Sequence, residues 1–161
     1  MERRFEVATP ETMEALGRRI GRLLRAGDLV VLDGALGAGK TTLVRGIGVG
    51  LGVRGPISSP TFVIARVHPS LVSGPALVHV DAYRLSGIGD VDELDLDESI
   101  DASVTVVEWG VGKAEQLADS VLTIRIERAV GEVVTADQEV RNVSITSPTS
   151  GWAARLAELA K

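Results

Sequence analysis

The segment from Gly34 to Thr41 reads Gly-Ala-Leu-Gly-Ala-Gly-Lys-Thr and fits the pattern G-x-x-x-x-G-K-[ST] at every fixed position. Glycines let a backbone wrap around a phosphate without a clash from a Cβ atom, and the amides that follow lie at a helix start, where the dipole favours an anion. In this pattern Lys40 reaches the β- and γ-phosphates and the Thr41 hydroxyl ligates Mg²⁺. The expected ligand is therefore Mg-ATP. The residues predicted to contact its phosphates are Gly37, Ala38, Gly39, Lys40, Thr41 and Thr42.

Two acidic residues at the ends of apolar segments could complete such a site. Asp81 ends the segment Leu77-Val-His-Val-Asp and has the position of a Walker B acid, which holds Mg²⁺ directly or through water. A plain strand-end turn residue is the alternative interpretation of Asp81. Glu108 ends a second apolar segment and could ligate the metal or polarise the attacking water.

Four other residues could belong to the site or to the structural framework. Thr61 follows Ser58-Ser59-Pro60 and could close over the γ-phosphate, as the switch threonines of GTPases do, or simply begin a strand beside a proline. Trp109 could shield Glu108 or lie in the core. His68 and His79 have no companion ligands in the sequence, and both are predicted to be structural.

The elements that must position these residues follow from periodicity and end signals. Thr9 and Pro10 begin a helix that Gly27 closes. The phosphate loop lies between a buried strand, Asp28 to Asp33, and a helix from Thr41 to Leu51 that Gly52 ends. The further predicted strands are Thr61 to Val67, Ala76 to Asp81, Ser103 to Glu108, Val121 to Ile126 and Val140 to Ile145, and the further helices are Asp90 to Ile100, burying Val91, Leu94 and Leu96, and Gly151 to Lys161.

Connection lengths predict how these strands pair. Only eight residues join the first two of the further strands, too few for a helical crossover, so these two strands should be antiparallel. The last two strands should form a hairpin with a long polar tip. The predicted fold is α/β, a single P-loop NTPase-like domain over residues 1–161, with three layers and a mixed parallel and antiparallel sheet flanked by helices.

Composition narrows the class of protein. The net charge is −5, from 22 acidic and 17 basic residues, whereas a protein that grips a nucleic-acid backbone alone usually presents a basic face. The chain has no cysteine and so no thiolate nucleophile or disulfide. It shows no signal-peptide pattern and no apolar run long enough to span a membrane. A cytoplasmic protein without a membrane or DNA partner is expected.

Four segments in the same order and spacing resemble the TsaE family, the small bacterial ATPases of tRNA threonylcarbamoyladenosine biosynthesis. They are Gly34 to Gly46, Ser58-Ser-Pro-Thr-Phe62, His79-Val-Asp-Ala-Tyr-Arg-Leu85 and Val107-Glu-Trp109, and the resemblance covers roughly residues 5 to 130. One departure is Ala35, at a position where the family usually shows an acidic residue.

The resemblance implies a role for each matching residue. Lys40 would be the phosphate-binding cation, Thr41 would bind Mg²⁺, and Asp81 and Glu108 would be the acids of the metal and water site. Thr61 would be the switch-like threonine, and Trp109 would lie beside the site. Segments near Thr9 and Pro10, and the turn near Gly131, would flank the adenine.

The resemblance also implies a function. The chain would hydrolyse ATP, slowly alone, in support of a TsaB–TsaD-type complex that modifies the adenosine beside the anticodon of tRNAs reading codons that begin with A. It would not itself transfer the threonylcarbamoyl group, and it would meet tRNA only through that complex. A P-loop small-molecule kinase, a GTPase switch and a nucleotide-gated binding module are the alternatives. The first lacks an arginine-bearing lid and the second an Asn-Lys-x-Asp motif in this sequence.

Overall fold

The computed structural model describes residues 1–58, 64–83, 97–129 and 139–159, with the backbone alone for residues 97 and 98. Its strands are β1 (Glu2–Val7), β2 (Asp28–Gly34), β3 (Ala65–His68), β4 (Ala76–Asp81), β5 (Ser103–Glu108), β6 (Ser120–Arg128) and β7 (Arg141–Thr146). Its helices are α1 (Pro10–Leu23), α2 (Lys40–Leu51), α3 (Asp97–Ile100) and α4 (Trp152–Glu158), and a 3-10 turn spans Glu115–Leu117.

In the described part of the chain, these strands form one sheet in the order β1-β7-β6-β2-β5-β4-β3. The four central strands, β6, β2, β5 and β4, are parallel. At one edge β3 is antiparallel to β4, and at the other β7 and β1 continue the sheet in antiparallel pairs. The predicted α/β class, the mixed sheet and both antiparallel pairings are confirmed. Because β2, β4 and β5 are parallel, their carboxyl ends meet at one edge of the sheet, where open α/β sheets bind ligands.

Helices cover one face of the sheet. Apolar side chains of α1, α2 and α4 share one buried cluster with the inward residues of the central strands, such as Val30 and Val106. A second cluster on the opposite face packs Leu29 and Val107 against the segment that carries the 3-10 turn. In the described residues that segment forms the third layer. None of the helices described is long and apolar enough to cross a membrane.

Most helix ends agree with the sequence signals, but α1 ends at Leu23 with Leu24 as its C-cap, so the prediction that Gly27 closes this helix was wrong. Thr9 caps α1, because its hydroxyl accepts the Thr12 N–H at 3.2 Å while the Thr12 hydroxyl accepts the Thr9 N–H at 3.1 Å. Gly52 ends α2 with a φ of 75°, in the left-handed region that favours glycine. Of the acidic helix predicted from Asp90 to Ile100, only α3 lies within the described residues. Val91, Leu94, Leu96 and the start of the strand predicted at Thr61 lie outside them.

β1 was not predicted from the sequence. Its charged residues Glu2, Arg4 and Glu6 are exposed, whereas Phe5 and Val7 pack on the helix-bearing face. This alternation has the period of two that a half-buried strand requires. Only the second half of the strand carries apolar residues, so the alternation of polar and apolar residues is too short to predict a strand from the sequence. The pairing with β7, which only the structure shows, defines the strand.

Glycines bring α1 and α2 into backbone contact. A Cβ atom on Gly46 would lie 2.1 Å from the carbonyl oxygen of Glu14, and one on Gly17 would lie 2.2 Å from the carbonyl oxygen of Leu43. Gly21 and Gly50 approach each other in the same way. Since α2 begins at Lys40, this contact helps to fix the helix that carries the phosphate loop.

A buried ion pair anchors the terminal helix α4. The Arg155 guanidinium donates to both carboxylate oxygens of Asp28 and to the carbonyl oxygen of Leu23. Trp152 adds a hydrogen bond from its indole nitrogen to the Ser120 hydroxyl at 3.0 Å. These polar contacts, together with the buried Trp152 and Leu156 side chains, fix α4 beside the end of α1.

Candidate nucleotide-binding site

The phosphate loop needs its glycines for backbone geometry. Gly37 has a φ of 75° and Gly39 a φ of 109°, values that side-chain-bearing residues rarely adopt. Gly39 is the N-cap of α2 and so offers no side chain to cap the helix. The first helical hydrogen bond runs from the Leu43 N–H to the Gly39 carbonyl, at 3.0 Å. The amides before Leu43 at this helix start therefore remain available to an anion.

Lys40 lies folded against the loop that precedes it. Its ammonium donates to the carbonyl oxygens of Gly34 at 2.5 Å and Ala35 at 3.2 Å. It also lies 4.0 Å from the centre of the Trp109 ring, a cation–π distance. Burial lowers the pKa of Lys40, and the negative charges of Glu108, Asp81 and Asp33 oppose that effect. The ammonium thus lies where the acidic residues can act on it electrostatically.

Asp81 and Glu108 occupy paired positions at the carboxyl ends of β4 and β5. Paired residues of neighbouring strands point to the same face, and this is the face on which α2 packs. Glu108 is buried, with 3% of its surface exposed, and its Oε2 lies 3.1 Å from Nε2 of the equally buried His79. The Oδ1 atom of Asp81 accepts the N–H of Tyr83 at 2.9 Å.

These two carboxylates fit a magnesium ion by their donor chemistry. No described residue donates a hydrogen bond to the second oxygen of either group, Oδ2 of Asp81 or Oε1 of Glu108. Mg²⁺ prefers a few protein oxygens combined with water and substrate phosphates. The carboxylates of Asp81 and Glu108, and the hydroxyl of Thr41, next to Lys40 on the first turn of α2, are oxygen donors of this kind.

Trp109 contacts the site instead of lying in the core. It has a φ of 60°, which is uncommon for a residue with a side chain, and its N–H donates to the Leu32 carbonyl at 3.1 Å. Its ring makes an edge contact with Tyr83, with 5.1 Å between the ring centres. The positive φ turns the chain directly after Glu108, and the indole lies over Lys40. Of the two interpretations of Trp109, the structure supports a position beside the site.

A pocket of about 260 Å³ lies on the other side of the loop, at the start of α1. Its lining residues are Val7, Ala8, Thr9, Pro10, Met13, Gly37, Ala38, Gly39, Thr42, Glu139 and Arg141. Arg141 braces the loop, since its Nε donates to the Ala38 carbonyl at 3.2 Å and its NH1 pairs with the Glu139 carboxylate at 2.9 Å. The pocket thus brings Thr9 and Pro10 together with residues of the phosphate loop.

Most of the predicted site residues thus gather around one loop. Gly37 to Thr42, Asp81, Glu108, Thr9 and Pro10 all surround it, whereas Thr61 and Gly131 lie outside the described residues. Sequence reasoning missed Met13, Glu139 and Arg141 as pocket residues, and it missed the contact of His79 with Glu108. No motif signals the first three. The position of His79 two residues before Asp81, on the same face of a strand, was a signal for the fourth.

Comparison with known proteins adds an independent observation. The family model of the threonylcarbamoyl adenosine biosynthesis protein TsaE matches residues 7–136, which include the phosphate loop, Asp81 and Glu108. The chain belongs to the TsaE family. The TsaE family is involved in the biosynthesis of threonylcarbamoyladenosine in tRNA. The α/β fold with a mixed sheet agrees with membership of this family.

Individual TsaE proteins support the assignment. The tRNA threonylcarbamoyladenosine biosynthesis protein TsaE of Streptomyces coelicolor is 64% identical over 142 residues, covering 88% of this chain and 94% of its own. The TsaE protein of Bacillus subtilis is 35% identical over 127 residues, 78% of each chain. The crystal structure of YdiB from Bacillus subtilis superposes with a TM-score of 0.77 at 29% identity, covering 99% of this chain and 95% of that one.

Proposed function

We propose that this protein binds and hydrolyses Mg-ATP in support of tRNA threonylcarbamoyladenosine biosynthesis. It would work with TsaB- and TsaD-type proteins and would not itself transfer the threonylcarbamoyl group. The observation that carries the proposal is the position of Lys40, at the start of α2, within the electrostatic reach of the paired carboxylates Asp81 and Glu108. Its place in a tRNA-directed pathway makes the cytoplasm the expected location.

Phosphate binding would use the amides from Gly37 to Thr42, which lie at or just before the start of α2, where the helix dipole stabilises an anion. The Ala38 N–H would exchange its bond to the Ala35 carbonyl for a phosphate oxygen. The Lys40 ammonium would give up its hydrogen bonds to the carbonyl oxygens of Gly34 and Ala35 and donate to the β- and γ-phosphates instead. Trp109 covers Lys40 and would keep water away from this exchange.

The carboxylates would serve the metal and the attacking water. Bound Mg²⁺ would neutralise charge that develops on the phosphates. Thr41 and Asp81 would hold the ion, and Glu108, held at one oxygen by His79, would ligate it or orient the water with the other. Thr61 would approach the γ-phosphate as a switch residue, a role proposed from its sequence position alone.

The pocket beside Thr9 and Pro10 would hold the adenosine part of the nucleotide. It borders the loop at Gly37, Gly39 and Thr42, so a nucleotide could bind loop and pocket at once. The apolar side chains of Val7 and Met13 suit the faces of a purine, and the Glu139 carboxylate offers acceptors for an amino group. Gly131 would contribute from its predicted turn, a role proposed from its sequence position alone.

Hydrolysis by two variants tests the proposal. In the presence of TsaB- and TsaD-type homologues, Lys40→Ala should lose ATP binding, because the loop loses its only side-chain cation. Glu108→Gln should still bind ATP and hydrolyse it about 100-fold more slowly or worse, because an amide can neither accept the water's proton nor bind the metal as a carboxylate. Glu158→Gln, an exposed carboxylate change on α4, is the matched control and should behave as wild type.

Wild-type rates in both variants would contradict the site assignment. Reconstitution then tests the coupling: tRNA modification should continue past one turnover only when this protein and ATP are both present. Fast hydrolysis by the isolated chain that partner proteins leave unchanged would contradict the proposed partnership while leaving the ATPase assignment intact.

A further inference from the structure

We propose that His79 is a positioning residue for Glu108. It holds the carboxylate oxygen Oε2 and thereby leaves Oε1 as the oxygen available to the metal or the attacking water. The inference rests on the proposed ATPase function, and it assigns a role to a residue that the sequence indicated only as structural.

The contact is built by the register of two parallel strands. His79 pairs with Val106 on β5, and Glu108 lies two residues beyond Val106 and therefore on the same face as His79. The ring nitrogen Nε2 lies 3.1 Å from Oε2, a normal hydrogen-bond distance. Both side chains are enclosed, with 0% of the histidine and 4% of the glutamate exposed.

Because both side chains are buried, this hydrogen bond can fix the orientation of the Glu108 carboxylate. A glutamate side chain has three rotatable bonds, and a free carboxylate would sample several orientations. The His79 ring is fully buried and cannot follow such motion. Since a buried carboxylate oxygen without a donor is costly, the bond selects one orientation of Glu108.

His79 would be a poor choice if it only filled space. Its second nitrogen, Nδ1, is buried and has no hydrogen-bond partner among the described residues. A leucine at this position would avoid that cost and fill a similar volume. An apolar neighbour such as Leu77 occupies the same face of β4 two residues earlier. The polar ring therefore has one described polar contact, and that contact is the candidate catalytic acid.

Two amide substitutions of different length separate positioning from packing. In His79→Gln the side-chain amide reaches about as far as Nε2 and can still donate to Oε2. In His79→Asn the amide ends near the position of Nδ1 and cannot reach. With TsaB- and TsaD-type homologues present, His79→Asn should lower kcat roughly tenfold or more while the dissociation constant of ATP stays at the wild-type value. His79→Gln should keep most of the wild-type kcat.

Two controls complete the design. Thr105→Val removes a buried hydroxyl without a described partner from β5, on the face opposite to Glu108, and should leave kcat unchanged. In a Glu108→Gln background, His79→Asn should lower kcat no further, because its effect passes through the carboxylate.

Equal kcat values for His79→Asn and wild type would overturn the inference. So would an equal loss in His79→Asn and His79→Gln, or a loss of ATP affinity that accounts for the lower rate, since each indicates packing alone. If the wild-type protein hydrolyses no ATP with its partners, the proposed function fails instead. An active wild type, an inactive Glu108→Gln and a fully active His79→Asn would reject the positioning role alone.

Discussion

His68 and His79 are two buried histidines on the face of the sheet that carries the phosphate loop, and their environments differ. His79 contacts a carboxylate, whereas the Nδ1 atom of His68 lies 3.2 Å from the carbonyl oxygen of Arg54. His68 and Arg66 are two residues apart on β3 and so share a face, and Arg66 pairs with His79, so both histidines point to the same face of the sheet. Protonation of His68 would therefore put a positive charge on a buried side chain at the helix-bearing face of the sheet.

The pH dependence of stability should reveal the environment of His68. Burial lowers the pKa of His68 below its ordinary value of 6.5, the hydrogen bond to Arg54 opposes the shift, and the charges of His79 and Arg66 add to it. The folded protein then binds fewer protons than the unfolded chain, so stability is fully present above pH 6.5 and is lost as the pH falls through the lowered pKa. We expect the free energy of unfolding, from urea titrations at about pH 7.5 and about pH 5.5, to fall on acidification.

His68→Asn supplies the comparison. Asparagine cannot titrate, and its amide can still donate near the position of Nδ1. This variant should lose less stability than wild type over the same pH interval. An identical loss in both proteins would show that other groups cause the acid sensitivity.

At the residue scale, the sequence predicted local backbone geometry better than long-range contacts. The pattern from Gly34 to Thr41 predicts glycines in unusual conformations, and Gly37 and Gly39 have positive φ, whereas the roles of Lys40 and Thr41 stay predictions. The contact of His79 with Glu108 spans 29 residues and depends on how β4 and β5 align. A single sequence carries no direct record of that register.

At the element scale, the contact between α1 and α2 sets the position of the phosphate loop. We expect Gly46→Ala to destabilise the protein by about 3 kcal/mol, because the new methyl group would overlap the Glu14 carbonyl, a backbone atom that cannot rotate away. Thermal or urea unfolding measures the loss. The same displacement of α2 should weaken ATP binding, since Lys40 and Thr41 belong to its first turn.

Gly151→Ala is the matched control for this substitution. Gly151 has a φ of −59°, and an added Cβ would meet no atom within 4 Å. It should leave stability within a few tenths of a kcal/mol of wild type. Equal stability of the two variants would mean that α1 and α2 can separate at little cost.

Element boundaries could be predicted where strong end signals exist. Thr9, Pro10 and Gly52 define the helix ends that the structure shows. The glycine contact of α1 with α2 could not be predicted, because glycine inside a helical pattern usually only lowers helix propensity. For the same reason β1 was missed: its pairing with β7, over 130 residues later, decides the strand.

At the scale of the whole molecule, strands β1 and β6 carry charges of both signs on one face. On the sheet face away from the helices, Glu2, Arg4 and Glu6 lie across β7 from Arg125 and Glu127, so opposite charges alternate. Asp33 also pairs with Arg125 at 2.8 Å. A polyanion such as tRNA would be attracted by the arginines of this face and repelled by its carboxylates.

On the proposed function, the net charge of −5 predicts that tRNA is bound by the proposed TsaB- and TsaD-type partners and not by this chain. Phosphate contacts by Lys and Arg dominate nucleic-acid affinity, and non-specific binders reach dissociation constants of about 10⁻⁴ to 10⁻⁶ M at physiological salt. We expect the isolated chain to bind labelled tRNA more weakly than that range in fluorescence anisotropy, with or without ATP. TsaB- and TsaD-type proteins should bind tRNA in the same assay, with little change when this chain is added. Micromolar binding by the chain alone, weakening steeply with salt, would show a basic surface that the net charge conceals.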